Sequence, residues 1–417
     1  MRSKVWSSAR ALGRACRAVP VAWLTLSWAC RSAGRPARGA GDSVASSSSA
    51  ASPADSASAD TLLPGMPPLV DRTNMYAAAG ASLFSPTAQK AKRLVYVPNS
   101  LDGTVSVIDP ATYAVIRTFR TGAVPQHVVP SYDLTVLWVA NNKGNSLTPI
   151  DPTTGQQGAN VPVDDPYNLY FTPDGQFAIV VAEALKRLDY RDAKTMKLID
   201  SVGVDCPGVD HMEFTADGRF GIATCEFSGK LLKLDVASRN VIGYLVLDPQ
   251  GLGARAMPQD IRSSPDGKVF YIADMMANGV FLVDPVGFIR IGFIATGKGT
   301  HGIYPSRDGR TLYIANRGWN TVQGGRRGPG TVIVLDPKSQ RILATWSVPE
   351  GGSPDMGNVT ADGKELWLSG RYDDEVYVFD TEKGELKQRI KVGRGPHGLT
   401  VWPQPGRYSL GHTGNMR

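Results

Sequence analysis

From residue 93 onward the chain is built of short apolar runs of strand length, separated by turn signals. In "TPDGQFAIVVAE", "TADGRFGIATCE", "SPDGKVFYIAD", "SRDGRTLYIAN" and "TADGKELWLSG", Asp-Gly stands between two such runs. This is the strongest short-range signature of a β-hairpin. "PSYDLTVLWVAN" is a degenerate copy, with Leu134 where glycine is expected. A second marker is an apolar residue followed by Asp and often Pro: "VIDP", "PIDP", "RLDY", "KLDV", "LVDP", "VLDP" and "VFDT". Its aspartates are Asp109, Asp151, Asp189, Asp235, Asp284, Asp336 and Asp380, spaced 42, 38, 46, 49, 52 and 44 residues apart. Repeats of this period suit the blades of a propeller. Each aspartate is expected to follow a strand and accept backbone N–H groups in the turn it opens, a structural role. One unit then reads strand A, Asp-Gly turn, strand B, loop, strand C ending in the aspartate, and strand D.

The units are out of phase with the ends of the sequence. "RLVYVPNSLDGTVSVIDPATYAVIRTF" begins at strand B, and "PHGLTVWP" near residue 400 is a strand A with nothing after it to pair with. The fold class expected is therefore all-β: a seven-bladed β-propeller closed by pairing the C-terminal strand with the first blade, which also covers an open edge. The stretch "LVYVPNSLDGTVSVIDPATYAVIRTFRTG", and the drifting G-x-x-P-x-G-x-x-x-x-P-D-G-x-x-x-Y-V-A-N repeat over residues 93–403, resemble the YVTN-repeat, YncE-like family of seven-bladed propellers. The resemblance implies the fold. It leaves function open, since such proteins include surface-layer and cell-envelope members, and some relatives of the architecture carry haem or copper at the centre.

Candidate chemistry follows from aligning the units on their Asp-Gly turns. Six residues before the turn Asp stand His127, Asn168, His211, Asp260, Gly302, Met356 and, by similarity, Gly398. One position earlier stand Gln126, Tyr167, Asp210, Gln259, His301, Asp355 and His397. The chain has five histidines, and four of them, His127, His211, His301 and His397, fall in these fourteen places. Chance would put about 0.2 there. In a propeller these places ring one mouth of the central channel, so the four are the candidate metal ligands, for Cu, Fe or Zn. The same face receives the ends of strand B. Glu183, Glu226, Asp260, Asp274, Arg317, Asp355 and Arg371 are accordingly the candidate ligand-binding residues. The bland alternative is that each histidine caps a turn. His127 and His211 are also offset by one residue from His301 and His397, and neighbours on a regular strand point to opposite faces. His412 follows the last strand and is expected on the opposite face. The long loop "NRGWNTVQGGRRGPGT" offers Arg317, Arg326 and Arg327 as anion ligands or a partial lid, or is merely a solvated glycine-rich loop.

Net charge is +7, which at first suggests nucleic acid. Eight of the 45 basic residues lie in residues 1–40, which contain no acid, so the remainder has 37 basic against 38 acidic residues. Nucleic acid is therefore not an expected partner. Residues 1–40 read as a signal or leader segment, a basic stretch and then "VPVAWLTLSWAC", too short to span a membrane. Cys30 after Ala29 resembles a lipoprotein cleavage box, with Ser27 where Leu is usual. Residues 41–80 read as a flexible Ser/Ala-rich tether, and 81–417 as the propeller. The expected location is the periplasm or cell surface, with any membrane attachment through a lipid on Cys30, as a monomer meeting an envelope protein or a small-molecule ligand. Cys206 and Cys225 flank strands A and B of one unit, and are either bridged or two buried thiols. The sequence carries no C-x-x-C-H, P-loop or G-x-S-x-G motif, and no G-x-G-x-x-G after a strand. A metal-dependent oxidoreductase is the alternative to a binding protein.

Overall fold

The computed structural model describes residues 62–248, 256–412 and 414–417. These form seven four-stranded antiparallel sheets. In six of them the four strands are consecutive in the chain. The first blade instead combines Leu94–Asn99, Thr104–Asp109 and Ala114–Arg120 with the C-terminal strand Thr400–Trp402 as its innermost member. Leu94, Val95 and Tyr96 pair with Trp402, Val401 and Thr400. The seven inner strands, Thr400–Trp402, Pro125–Pro130, Pro166–Phe171, Val209–Phe214, Pro258–Ser263, Thr300–Pro305 and Pro354–Val359, are buried along their length except at Pro305, which is half-buried. Outer strands such as Ile289–Ala295 alternate between exposed and half-buried. The core lies between blades, where Tyr96, Val107, Val139 and Trp402, for example, share one apolar cluster.

The turn chemistry explains the repeat. In the fourth blade Asp217 accepts the Thr215 hydroxyl and the Arg219 N–H, while the Phe220 N–H returns to the Thr215 oxygen at 3.1 Å. Gly218 takes φ +71°, a left-handed conformation that favours glycine. Leu134 holds the same place in the degenerate copy at φ +65°. The strand-end aspartates behave as expected in six units, with Asp109, for instance, accepting the Ala111 N–H at 2.9 Å. The exception is Asp189, which is fully buried in mid-strand and paired with Arg187 at 2.8 Å. The turn residue of that unit is Asp192, which accepts the Thr195 N–H. With Asp192 in place of Asp189 the repeat becomes more even.

Cys206 and Cys225 are joined by a disulfide, with Cα atoms 5.9 Å apart. The leader, Cys30 and residues 41–61 lie outside the described residues. Residues 62–80, expected to be tether, instead pack on the propeller: Leu63, Met75, Tyr76 and Ala79 are buried. The backbone of this segment and its continuation bonds to the Asp-Gly turn face through Leu63 to Asp217, Met75 to Pro265 and Ser82 to Ala361. "TLLPGMPPL" and "NMYAAAGA" supply the apolar residues that the Ser/Ala tract lacks, so the folded body begins earlier than residue 81.

Deleting residues 396–417 removes the innermost strand of the first blade and exposes an unpaired inner edge. The product is expected to elute as aggregate in size-exclusion chromatography. A monomeric truncation with an unchanged melting temperature would contradict closure by this strand.

Candidate functional site

All fourteen aligned positions are buried around the channel axis. The one-residue offset between histidines does not separate them, because the inner strands are bulged at this point. In the second blade, pairing passes from Pro125–Asn141 to His127–Ala140, two steps on the inner strand for one on its partner. The fourth, fifth and seventh blades skip similarly between Val209 and Met212, Pro258 and Ile261, and Pro354 and Gly357. A bulge re-aims the residues it contains, so both neighbouring positions reach the axis.

The four expected histidines converge, and a fifth joins them. The His127 ring lies 4.9 Å from His397 and 5.5 Å from His211, centroid to centroid, and His301 lies 5.8 Å from His397. His412, expected on the far face, is 4.6 Å from His211 and 5.1 Å from His127. The segment after Trp402 turns back into the channel and hydrogen-bonds along the inner strand of the third blade, Phe171 N–H to Leu410 O and His412 N–H to Leu169 O. Gly398 lets His127 come close, since a Cβ there would lie 2.0 Å from His127 Nδ1.

The histidines and carboxylates form two groups. His301, Asp355 and His397 each offer a ligand atom within 4.8 Å of the others, and so do His211, Asp260 and His412. In the first group His301 Nδ1 lies 2.9 Å from Asp355 Oδ1, which also accepts Arg317 Nε–H at 2.7 Å. In the second, Asp260 meets Arg262 at 3.0 Å and His412 Nε2 at 3.4 Å. Among the described residues, neither ring nitrogen of His127, which is fully buried between the groups, has a hydrogen-bond partner. Burial lowers all five imidazoles below their ordinary value, helped for His127 by His412. His301, with Arg317 beside it, falls to about 4. Burial would raise Asp355, but Arg317 and the imidazoles of His301 and His397 outweigh it and hold the carboxyl well below its ordinary value. At neutral pH the five imidazoles are thus neutral, and Asp355 and Asp260 each face an arginine.

Above the cluster lies an acidic mouth. Tyr167 packs edge-on against His127 at 5.6 Å and His211 at 6.3 Å. Asp210, Glu226, Glu183 and Arg371 surround its hydroxyl electrostatically. Burial, then Glu226 and Glu183, raise Asp210 well above its ordinary value. Burial followed by the Glu226 charge raises Glu183 to about 7. Of the proposed ligand-binding residues, Asp260, Asp355 and Arg317 therefore belong to the cluster, and Glu183, Glu226 and Arg371 to the mouth. Asp274 belongs to neither group: its two oxygens accept the Met257 and Ala277 N–H groups and brace a loop. Arg326 and Arg327 pair with Asp374 and Glu375 of the next blade rather than standing ready for an anion. Tyr167 and Asp210 occupied the aligned positions and were legible there. Asn168 stands at an aligned position as well, whereas His412 carries no sequence signal of its role.

The fold and the site together define a seven-bladed β-propeller with a buried histidine–carboxylate cluster on its axis. The sequence profile of the YncE-like β-propellers matches residues 58–405, and the chain belongs to that family. No curated protein matches it. Similar solved structures include the periplasmic gluconolactonase PpgL of Pseudomonas aeruginosa (18% identity, 75% of this chain and 99% of that one, TM-score 0.60). Others are a functionally unknown protein of Desulfotomaculum acetoxidans (14%, 75% and 100%, 0.62) and Kuenenia stuttgartiensis hydrazine synthase (17%, 65% and 87%, 0.55). At these identities the likeness is one of fold.

Glu183 supplies a pH test. Its folded pKa, about 7, is raised, so its contribution to stability is present below its ordinary 4.5 and is lost as pH rises through 7. Glu183→Gln removes that loss. The variant is expected to gain about 2 kcal/mol over the wild type between pH 5 and pH 8, allowing for solvent screening. Urea denaturation at the two pH values measures this, and an equal stability difference at both would refute it.

Proposed function

We propose that this is an exported propeller of the cell envelope that binds a first-row transition-metal ion on its channel axis, beneath a mouth that receives a small ligand or protein partner. The observation that carries the metal reading is His127, fully buried among four other imidazoles with both nitrogens unpartnered. A buried polar group without a partner costs roughly 1–3 kcal/mol, and a metal ion bound by ring nitrogen removes that cost. His301, His397 and Asp355 are the best-prepared ligands. Asp355 Oδ1 lies 2.9 Å from His301 Nδ1, the separation at which a carboxylate orients a metal-binding histidine through its other ring nitrogen. Both carboxylates also face arginines, so neutral nitrogens dominate the donor set. These suit Cu, Zn or Fe, and not the hard ions that need free carboxylate oxygens.

Export is supported by the basic leader, by the near-neutral remainder and by the Cys206–Cys225 disulfide, a bond that persists in oxidising compartments. Anchoring, in this reading, is through a lipid on Cys30, and the protein acts as a monomer without nucleic acid. The alternative function, a metal-dependent oxidoreductase, is favoured by the placement of Tyr167 and the acids directly above the cluster, where they can pass protons to a bound molecule. Copper or iron in the purified protein supports that reading, and zinc supports binding alone.

The test is the double variant His301→Ala/His397→Ala, with elemental analysis after export and purification. Its Cu, Zn or Fe content is expected to fall by at least one ion per chain while the circular dichroism spectrum stays that of the wild type. Unchanged metal content in a folded variant would overturn the metal reading.

A further inference from the structure

We infer that the centre holds two ions, and that the segment after residue 405 builds the second site by delivering His412. This inference rests on the metal reading above and adds to it. The family match ends at residue 405, so His412 lies outside the part of the chain the family shares. It is nevertheless fully buried, on the axis and firmly placed. Its backbone adopts φ +42°, a left-handed conformation uncommon outside glycine, and is held there by the bond from its N–H to Leu169 O. Gly411 passes so close that a Cβ would lie 2.3 Å from Leu169 O. Beyond it, Glu213 anchors the segment by accepting Arg417 at 2.6 Å and Asn415 at 3.4 Å.

One side chain holds both imidazoles of the second group. Asn168 Oδ1 accepts the Leu169 N–H at 2.9 Å, which orients the amide. Its Nδ2 then reaches His211 Nδ1 at 3.2 Å and His412 Nδ1 at 3.1 Å. Both Nδ1 atoms are thereby occupied, and Nε2 of His211 is the nitrogen of this pair left without a hydrogen bond among the described residues. His412 Nε2 lies 3.4 Å from Asp260, and His211 Nε2 lies 3.2 Å from Asp210 without forming a hydrogen bond. That unpartnered, fully buried Nε2 is the second observation pointing to a ligand, independent of the clustering. Coordination through Nε2 requires each neutral ring's single proton to move from Nε2 to Nδ1, and the Asn168 amide to turn its oxygen toward the rings and give up the Leu169 N–H. Ligand atoms of a bound ion lie about 3–3.5 Å apart for bonds near 2.0–2.2 Å. One ligand atom from each of His211, Asp260 and His412 lies within 4.8 Å of the others, so small side-chain shifts bring the three toward this range. His127, with ring contacts to both groups, is the imidazole available to either ion.

Elemental analysis and titration of the full-length protein with Cu2+ and Zn2+ test this. The wild type is expected to hold two ions per chain, and His412→Ala, like His211→Ala, one. A wild type holding one ion, or a His412→Ala protein retaining two, overturns the inference and leaves the metal reading standing. A wild type holding none overturns both. Since a variant at a buried position can misfold, anomalous diffraction from metal-soaked wild-type crystals gives an independent answer. Two peaks on the axis, one beside His412, are expected, and a single peak beside His301 and His397 refutes the second site.

Discussion

The whole site depends on ring closure. Seven inner strands point at one axis only if the first blade obtains its innermost strand from the other end of the chain. Pairing of Thr400–Trp402 with Leu94–Tyr96 provides it. The same stretch makes a parallel bridge to the second blade, Gly398 N–H to Gln126 O and Val128 N–H to Gly398 O. That bridge sits beside His127, so the contact that closes the ring also sets the wall of the histidine cluster. Fold stability and site geometry are consequently not separable at residues 396–402, whereas at the outer strands they are.

The second constraint is charge. A buried ionised carboxylate is costly unless paired, and the channel pairs its acids in turn: Asp355 with Arg317, Asp260 with Arg262 and Glu213 with Arg417. With these matched, the imidazoles remain as neutral donors lowered by burial, and His127 has no partner of its own. The acids at the mouth are handled differently. Glu183, Glu226 and Asp210 crowd together and are raised, so protons rather than arginines offset part of their charge. The channel thus passes from a proton-holding rim to a set of lone pairs within a few side chains.

Much of this was legible in the sequence, for physical reasons that also mark where legibility stopped. The Asp-Gly turns and strand-end aspartates are local, hydrogen-bonding their own neighbours, so the blade count and the closing strand could be read directly. Asp189 misled because "RLDY" copies the marker while Asp192, three residues on, makes the turn bonds. The convergence of His127 and His211 with His301 and His397 depends on bulges, which the one-residue offset records but which strand periodicity alone forbids. Asp274 was placed on the correct face, but its carboxylate is engaged by the Met257 and Ala277 N–H groups. The fate of His412 was not legible, because nothing local states that a segment after the last strand re-enters the channel.

Family and fold therefore say less about this chain than do two departures from a generic propeller. One is the choice of His, Asp and Tyr at the aligned inner positions. The backbone tolerates many residues there: Gly302, Met356 and Gly398 occupy equivalent places without disturbing the blades. The other is the segment beyond residue 405, which fills the channel and bonds to Leu169, Phe171 and Glu213. An open channel would leave the axis to water, and the four blade imidazoles in water would be ordinary bases. With the channel filled, the same imidazoles are desolvated, kept neutral and held at close quarters. It is the plug, more than the ring, that turns a row of repeat positions into a site for an ion.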